Sequence, residues 1–125
     1  MADESELSKS FLWSVKNGDI TEVKNLLAQE KSLGTKEIAG RSPLHFAADY
    51  GQTDVVEYLV ANGAGINVED QYGITPLLSA IFEGHKETVA LLLKKGANKN
   101  GKSPDGRPYL DCAETDDMKS LLSKA

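Results

Sequence analysis

The chain has 125 residues, 40% of them hydrophobic, a net charge of −5 and one cysteine. This length fits a single domain, 1–125, with a core large enough to need no covalent staples, and the lone Cys112 excludes an internal disulfide. The acidic balance disfavours nucleic acids and anionic membranes as partners, because both carry negative charge. The start of the chain lacks a signal-like apolar stretch, and the longest aliphatic run, 89–93, is too short to span lipid. The expected location is the cytoplasm, with the nucleus as a second compartment.

Glycines reveal an internal repeat. Gly40, Gly73 and Gly106 recur along the chain at one constant interval. The same interval relates Leu44 to Leu77 and Leu110, Ala47 to Ala80 and Ala113, and Gly18 to Gly51 and Gly84. So many registered positions predict stacked units of equal length: a capping unit at about 8–39, repeats 40–72 and 73–105, and a capping unit 106–125.

The N-terminal unit contains two apolar stretches, 11–18 and 23–27, at helical spacing. It lacks the Ser-Pro or Thr-Pro opening of the later units, so we interpret it as a cap. One face of a terminal unit meets water instead of another repeat, which is why such units deviate.

The repeat 40–72 predicts two helices and a finger. Ser42 is a good N-cap and Pro43 a good first helical residue, while Gly51 suits the left-handed end of that helix. A second helix with a bulkier apolar stripe follows over 55–60, and the stretch from Gly65 to 72 returns as a hairpin-like finger. Repeat 73–105 follows the same logic, and the last unit is shortened between its helices.

The segments 40–48 and 73–80 resemble the ankyrin signature G-x-T-P-L-H-x-A-A, and the interval between the glycines is the ankyrin period. The resemblance covers nearly the whole chain. It implies an all-α solenoid of about four helix-turn-helix units, with hairpin fingers along one edge and a binding surface on the concave side.

Two features suggest chemistry, but each has a plainer interpretation. The segment 96–103 matches the phosphate-loop pattern, although a helix precedes it and a turn follows, whereas a phosphate loop leaves a strand and enters a helix. His45 and His85 are expected to bond local backbone. The sequence therefore predicts no catalytic residues, no metal site, no cofactor and no enzymatic activity.

Aromatic and acidic residues recur where a partner would bind. In an ankyrin stack, the residues before the glycine that ends each first helix point to the concave side, here Asp49 and Tyr50, then Phe82 and Glu83. Asp70 and Tyr72 bring the same combination to the second finger. Aromatic rings supply buried area and acids attract a basic partner, although scattered solvated residues are the plain alternative. Trp13 is either packed in the cap or an exposed anchor.

A finer resemblance is to a branch of small ankyrin proteins that bind the heterodimeric actin capping protein and block its attachment to filament barbed ends. It is carried by 11–13, 16–19, 40–41, 43–45, 47–49, 51–52, 74–80, 83–85 and 104–106. It implies inhibitory sequestration by a monomer through Trp13, Asp49, Phe82 and Glu83, with Tyr50 on the same surface. The alternative is an adaptor or inhibitor of another partner, such as a kinase or a transcription factor.

The first finger departs from this branch. Ile38 and Ala39 stand where an acid and a glycine are expected, and Glu37 is a candidate to replace the displaced charge.

Overall fold

A computed structural model describes residues 4–124, with side chains over 6–123. The regular elements of the described residues are helices joined by turns and loops. The helices are α1 Glu4–Asn17, α2 Ile20–Gln29, α3 Pro43–Asp49, α4 Thr53–Ala61, α5 Pro76–Phe82, α6 Lys86–Lys94, α7 Tyr109–Cys112 and α8 Asp116–Lys124, and a short 3-10 helix spans Lys31–Gly34. Across these residues no pairing extends beyond two isolated β-bridges. The predicted all-α solenoid of helix pairs is confirmed.

The helices form two layers. α1, α3, α5 and α7 contact each other in sequence, as do α2, α4, α6 and α8. We call the first set the inner helices and the second the outer helices. Small residues let the inner helices approach closely, since Ala47 and Ala80 are fully buried, while Val55, Leu59 and Val89 fill the space under the outer helices.

The ends of the inner helices follow the predicted caps. The Ser42 hydroxyl accepts a hydrogen bond from the backbone N–H of His45, and Thr75 repeats this cap on α5. Helix α3 ends just before Gly51, whose φ of +67° is left-handed. A side chain there would collide with the His85 ring of the next unit, so glycine is required for conformation and for packing.

Three tight turns form the fingers. In the first finger (38–41) Ile38 and Arg41 exchange two backbone hydrogen bonds across Ala39 and Gly40, whose φ values are +55° and +79°. Positive φ at both central residues defines a two-residue type I′ turn. The second (70–74) and third (103–107) fingers close one residue later and need a positive φ only at Gly73 and at Gly106. The first finger is therefore tighter than the others.

The terminal units are shaped as caps. α1 has 14 residues against 7 in α3 and begins before the predicted boundary at residue 8. At the other end α7 has only 4 residues. Tyr109 anchors this unit, because its hydroxyl lies 2.8 Å from the Thr75 hydroxyl. Cys112, the last residue of α7, is buried.

Candidate interaction surface

Exposed aromatic side chains lie near the C-terminal ends of three inner helices and on the second finger. Trp13 on α1 is 61% exposed, Tyr50 after α3 is 49% exposed, and Phe82 at the end of α5 is 40% exposed. Tyr72 on the second finger is 65% exposed. Aromatic residues are enriched at protein interfaces, so exposed rings repeated along successive inner helices indicate an interaction surface. For Trp13, the structure selects the exposed alternative.

We call this surface the inner-helix face and define it by Trp13, Lys16, Tyr50, Tyr72, Phe82 and Glu83.

The lysine of this face lies over two aromatic rings. The Lys16 ammonium is 5.3 Å from the centroid of Phe46 and 5.6 Å from that of Tyr50. The Arg41 guanidinium lies 5.0 Å from the same Phe46 ring. These distances are within cation–π range. Phe46 lies one repeat period after Trp13, so the repeat frame was a signal for a residue that the sequence reasoning passed over.

Arg41 joins three parts of the stack. Its guanidinium lies 3.2 Å from the Asp49 carboxylate and 3.4 Å from that of Asp70, and it donates to the Ser79 hydroxyl at 3.1 Å. Nε is buried and faces Asp70 without hydrogen-bond alignment, so that contact is an ion pair only. Two of the predicted acids therefore have their charge largely compensated inside the molecule.

Asp70 organises the second finger. Its side chain is only 2% exposed. Oδ1 accepts hydrogen bonds from the backbone N–H of Tyr72 at 2.8 Å and of Ile74 at 3.0 Å. The predicted role of Asp70 as a direct contact is replaced by a structural one, because no more than a trace of its carboxylate reaches the surface. Of this finger, only Tyr72 remains a candidate contact.

The first finger lacks this device. Glu37 holds the position of Asp70 one repeat period earlier but is exposed, whereas Asp70 is buried. The tighter turn pairs Ile38, not Glu37, with the residue after the finger glycine. Glu37 therefore does not reproduce the position of the finger carboxylate.

Both histidine rings hydrogen-bond to backbone groups. The prediction was for local bonds, but each ring also bonds a carbonyl group of another unit. The ring of His45 accepts from the Ser42 N–H at Nδ1 and donates from Nε2 to the Ile74 carbonyl at 2.7 Å. His85 donates to the Asp49 carbonyl at 2.9 Å. Burial lowers the pKa of His45, against an opposing contribution from the Ile74 bond, so a neutral ring holds the two repeats together.

The phosphate-loop-like segment ends in the third finger. The Ser103 hydroxyl is buried and donates to the Asp105 carboxylate, which holds the pKa of Asp105 below its usual range together with Arg107. The loop therefore leads into a tight turn and then a four-residue helix. A phosphate loop needs backbone N–H groups converging at the start of a longer helix, so this segment has a structural context of a different kind.

Residues 4–124 contain neither a metal-binding cluster nor a helix that could cross a membrane. Within this range, no three His, Cys, Asp or Glu side chains are grouped closely enough to hold a metal ion. None of the helices described there combines the length and apolarity that crossing a membrane requires.

Comparison with known proteins agrees with this geometry. The family described as ankyrin repeats, in three copies, matches residues 11–103. The chain belongs to the ankyrin-repeat family, and these repeats give it a protein-binding role.

One relative matches almost from end to end. Myotrophin of Xenopus tropicalis is 46% identical over 114 residues, which cover 91% of this chain and 97% of that protein. An ankyrin repeat protein of Rickettsia bellii is 38% identical over 100 residues, but the chain spans only 36% of its length. The 26S proteasome non-ATPase regulatory subunit 10 of Dictyostelium discoideum is 43% identical over 86 residues, and the chain spans 37% of it. The branch of small ankyrin proteins that the sequence resembles is that of myotrophin, and this resemblance is confirmed.

Proposed function

We propose that this chain is a non-enzymatic, monomeric, cytoplasmic regulator that binds the actin capping protein heterodimer, keeps it from filament barbed ends and so promotes filament growth. The observation that carries this proposal is the similarity to myotrophin over 97% of that protein's length. The branch of small ankyrin proteins that the sequence resembles supplies the partner.

The inner-helix face has the chemistry that such binding needs. Each buried aromatic ring contributes about 150–250 Å² of contact area at little entropy cost. Trp13, Tyr50 and Phe82 offer three such rings from successive inner helices. Glu83, which is exposed, adds negative charge for a basic partner, whereas the charge of Asp49 is already paired with Arg41.

Hydrogen bonds between units make this face rigid before binding. The Gln52 side chain donates to the Lys16 carbonyl at 2.8 Å, and His85 makes the equivalent bond one repeat later. Each bond fixes the end of one inner helix against the start of the outer helix in the next unit. A surface ordered in advance loses less conformational entropy when it binds.

A barbed-end elongation assay tests the proposal. With capping protein present, the wild-type chain should restore filament growth, because sequestered capping protein cannot occupy barbed ends. Charge reversal at both Asp49 and Glu83 should abolish this effect. Charge reversal at Asp54 and Glu57, exposed on the outer helix α4, is the matched control and should leave it intact. If the wild-type chain fails to restore growth, the proposal is wrong.

Similarity to the proteasome subunit keeps a second candidate open, an adaptor or inhibitor of another protein such as a kinase or a transcription factor. An unbiased pull-down separates the two, since capping-protein subunits are either dominant or absent among the captured proteins. Titration with ATP and magnesium tests the enzymatic alternative, and we expect no binding.

A further inference from the structure

A small cavity opens at the C-terminal end of the inner-helix face, between the end of α5 and the start of α8. Its volume is about 180 Å³, and its lining includes Ile81, Phe82, Glu83, Glu114, Asp117 and Met118. Ile81 and Met118 are each 2% exposed, whereas the Phe82 ring is 40% exposed. The cavity therefore combines a buried apolar floor with an accessible aromatic wall.

The charge around this cavity is negative. Glu83, Glu114 and Asp117 contribute three carboxylates, and Lys86 contributes the one ammonium group of the lining. Lys86 pairs with Asp117 at 3.2 Å, which leaves two carboxylates in excess. The negative end of the α5 dipole also lies here, since α5 ends at Phe82. The positive start of α8 opposes it, but carries acidic residues in its own first turn.

The occupant follows from this combination of size, ring and charge. Sites for drug-sized ligands span about 300–1,000 Å³, so this cavity fits a single side chain. A guanidinium group stacks on an aromatic ring and donates to carboxylates at the same time, while its methylene stem covers apolar surface. At the other end of the face a cation, Lys16, already lies over the rings. An incoming cation can therefore use the cavity beside Phe82, at the opposite end of the inner-helix face.

We infer that the cavity between α5 and α8 binds an arginine side chain of the protein partner, with Phe82 as the stacking surface and Glu83 and Glu114 as acceptors. The inference rests on the proposed function in one respect, that a protein docks on the inner-helix face. It adds the side chain that the partner presents, and its test needs no partner protein.

The test is an NMR titration of the ¹⁵N-labelled full chain at low salt. The probe is N-acetyl-arginine methylamide, and the control probe is the citrulline analogue, which has the same shape without the charge. We expect saturable shifts of the backbone amides of Phe82, Glu83 and Thr115. Citrulline should bind about fivefold more weakly, because hydrogen bonds from a charged donor are roughly twice as strong.

Variants locate the site. Glu83→Gln combined with Glu114→Gln should reduce arginine affinity to that of citrulline. Glu87→Gln, an exposed carboxylate on α6 outside this cavity, should leave the titration unchanged. Equal shifts with both probes, shifts centred elsewhere, no saturable shift at about 50 mM arginine probe, or an unaffected double variant would each overturn the inference. None of these results bears on whether capping protein binds, which the elongation assay decides separately.

Discussion

Replacing Arg41 by glutamine should destabilise the stack between repeats. The substitution removes the ion pairs to Asp49 and Asp70 and the hydrogen bond to Ser79. The consequence is largest at Asp70, whose side chain is 2% exposed and would keep a buried charge without its cation. The hydrogen bond to Ser79 crosses into the next repeat, so its loss weakens the interface that supports the inner-helix face.

The magnitude follows from these contacts. Removing one partner of a buried ion pair costs about 3–5 kcal/mol. Two backbone N–H groups still bond the Asp70 carboxylate, and the Arg41 side chain is 20% exposed, so both effects reduce the loss. We expect the free energy of unfolding to fall by about 2–4 kcal/mol. Combining Arg41→Gln with Asp70→Asn should recover about 1–2 kcal/mol of this loss, because the orphaned charge is gone.

Urea unfolding of the single and double variants measures these energies. Arg107 is the matched control, since it holds the equivalent position two repeats later and its side chain is 51% exposed beside Asp105. Arg107→Gln should cost less than about 1 kcal/mol. If Arg41→Gln and Arg107→Gln destabilise the protein equally, or if Asp70→Asn gives no recovery, the reasoning about the Arg41 contacts is wrong.

Three further outcomes follow. The folded pKa of His45 lies below its unfolded value, so the unfolded chain binds more protons and stability should be lost as pH falls through about 6.5, by at most about 1.4 kcal/mol per pH unit; His45→Gln should remove this component. Ala39→Gly should stabilise the chain by about 0.5 kcal/mol, since Ala39 adopts a left-handed φ of +55°. Neutralising Glu83 should weaken capping-protein binding about threefold, more than neutralising Asp49, which Arg41 already pairs.

Each outcome has a control. In denaturant titrations between pH 5.5 and 7.5, the wild-type chain is the reference, and a slope that survives His45→Gln would contradict the assignment. Ala90→Gly, on the exposed side of α6, should cost about 1 kcal/mol, whereas a loss at Ala39→Gly would refute the strain argument. For the acids, a larger effect at Asp49 in the binding titration would show that its charge is available to the partner.

Much of the fold could be predicted because residues close together in the sequence determine where its helices begin and end. Ser42 before Pro43 sets the start of α3, and Gly51 sets its end, since a capping hydroxyl and a left-handed glycine act on their own neighbourhood. The constant repeat interval then carried the same assignment to the other units. Stacking followed from the small residues on the inner helices.

The roles of single side chains on the binding face depended on distant partners. Asp70 was expected at the surface because its finger is exposed. Its carboxylate is instead buried, where it pairs with Arg41 of the preceding finger. The repeat frame contained a signal for this pairing, because Arg41 occupies the position at which the next repeat has the apolar Ile74. Trp13 could not be assigned, because burial in a terminal unit depends on which face lacks a neighbour. The tighter first finger required the backbone geometry of Ala39.

The proposed function places the capping protein heterodimer on the inner helices and the second finger, not on the outer helices. Hydrogen–deuterium exchange of this chain, free and mixed with capping protein, measures this placement. Exchange should slow at the ends of α1, α3 and α5 and in the second finger, with α2, α4 and α6 unchanged. Slower exchange confined to the outer helices, or no change anywhere on adding capping protein, would contradict it.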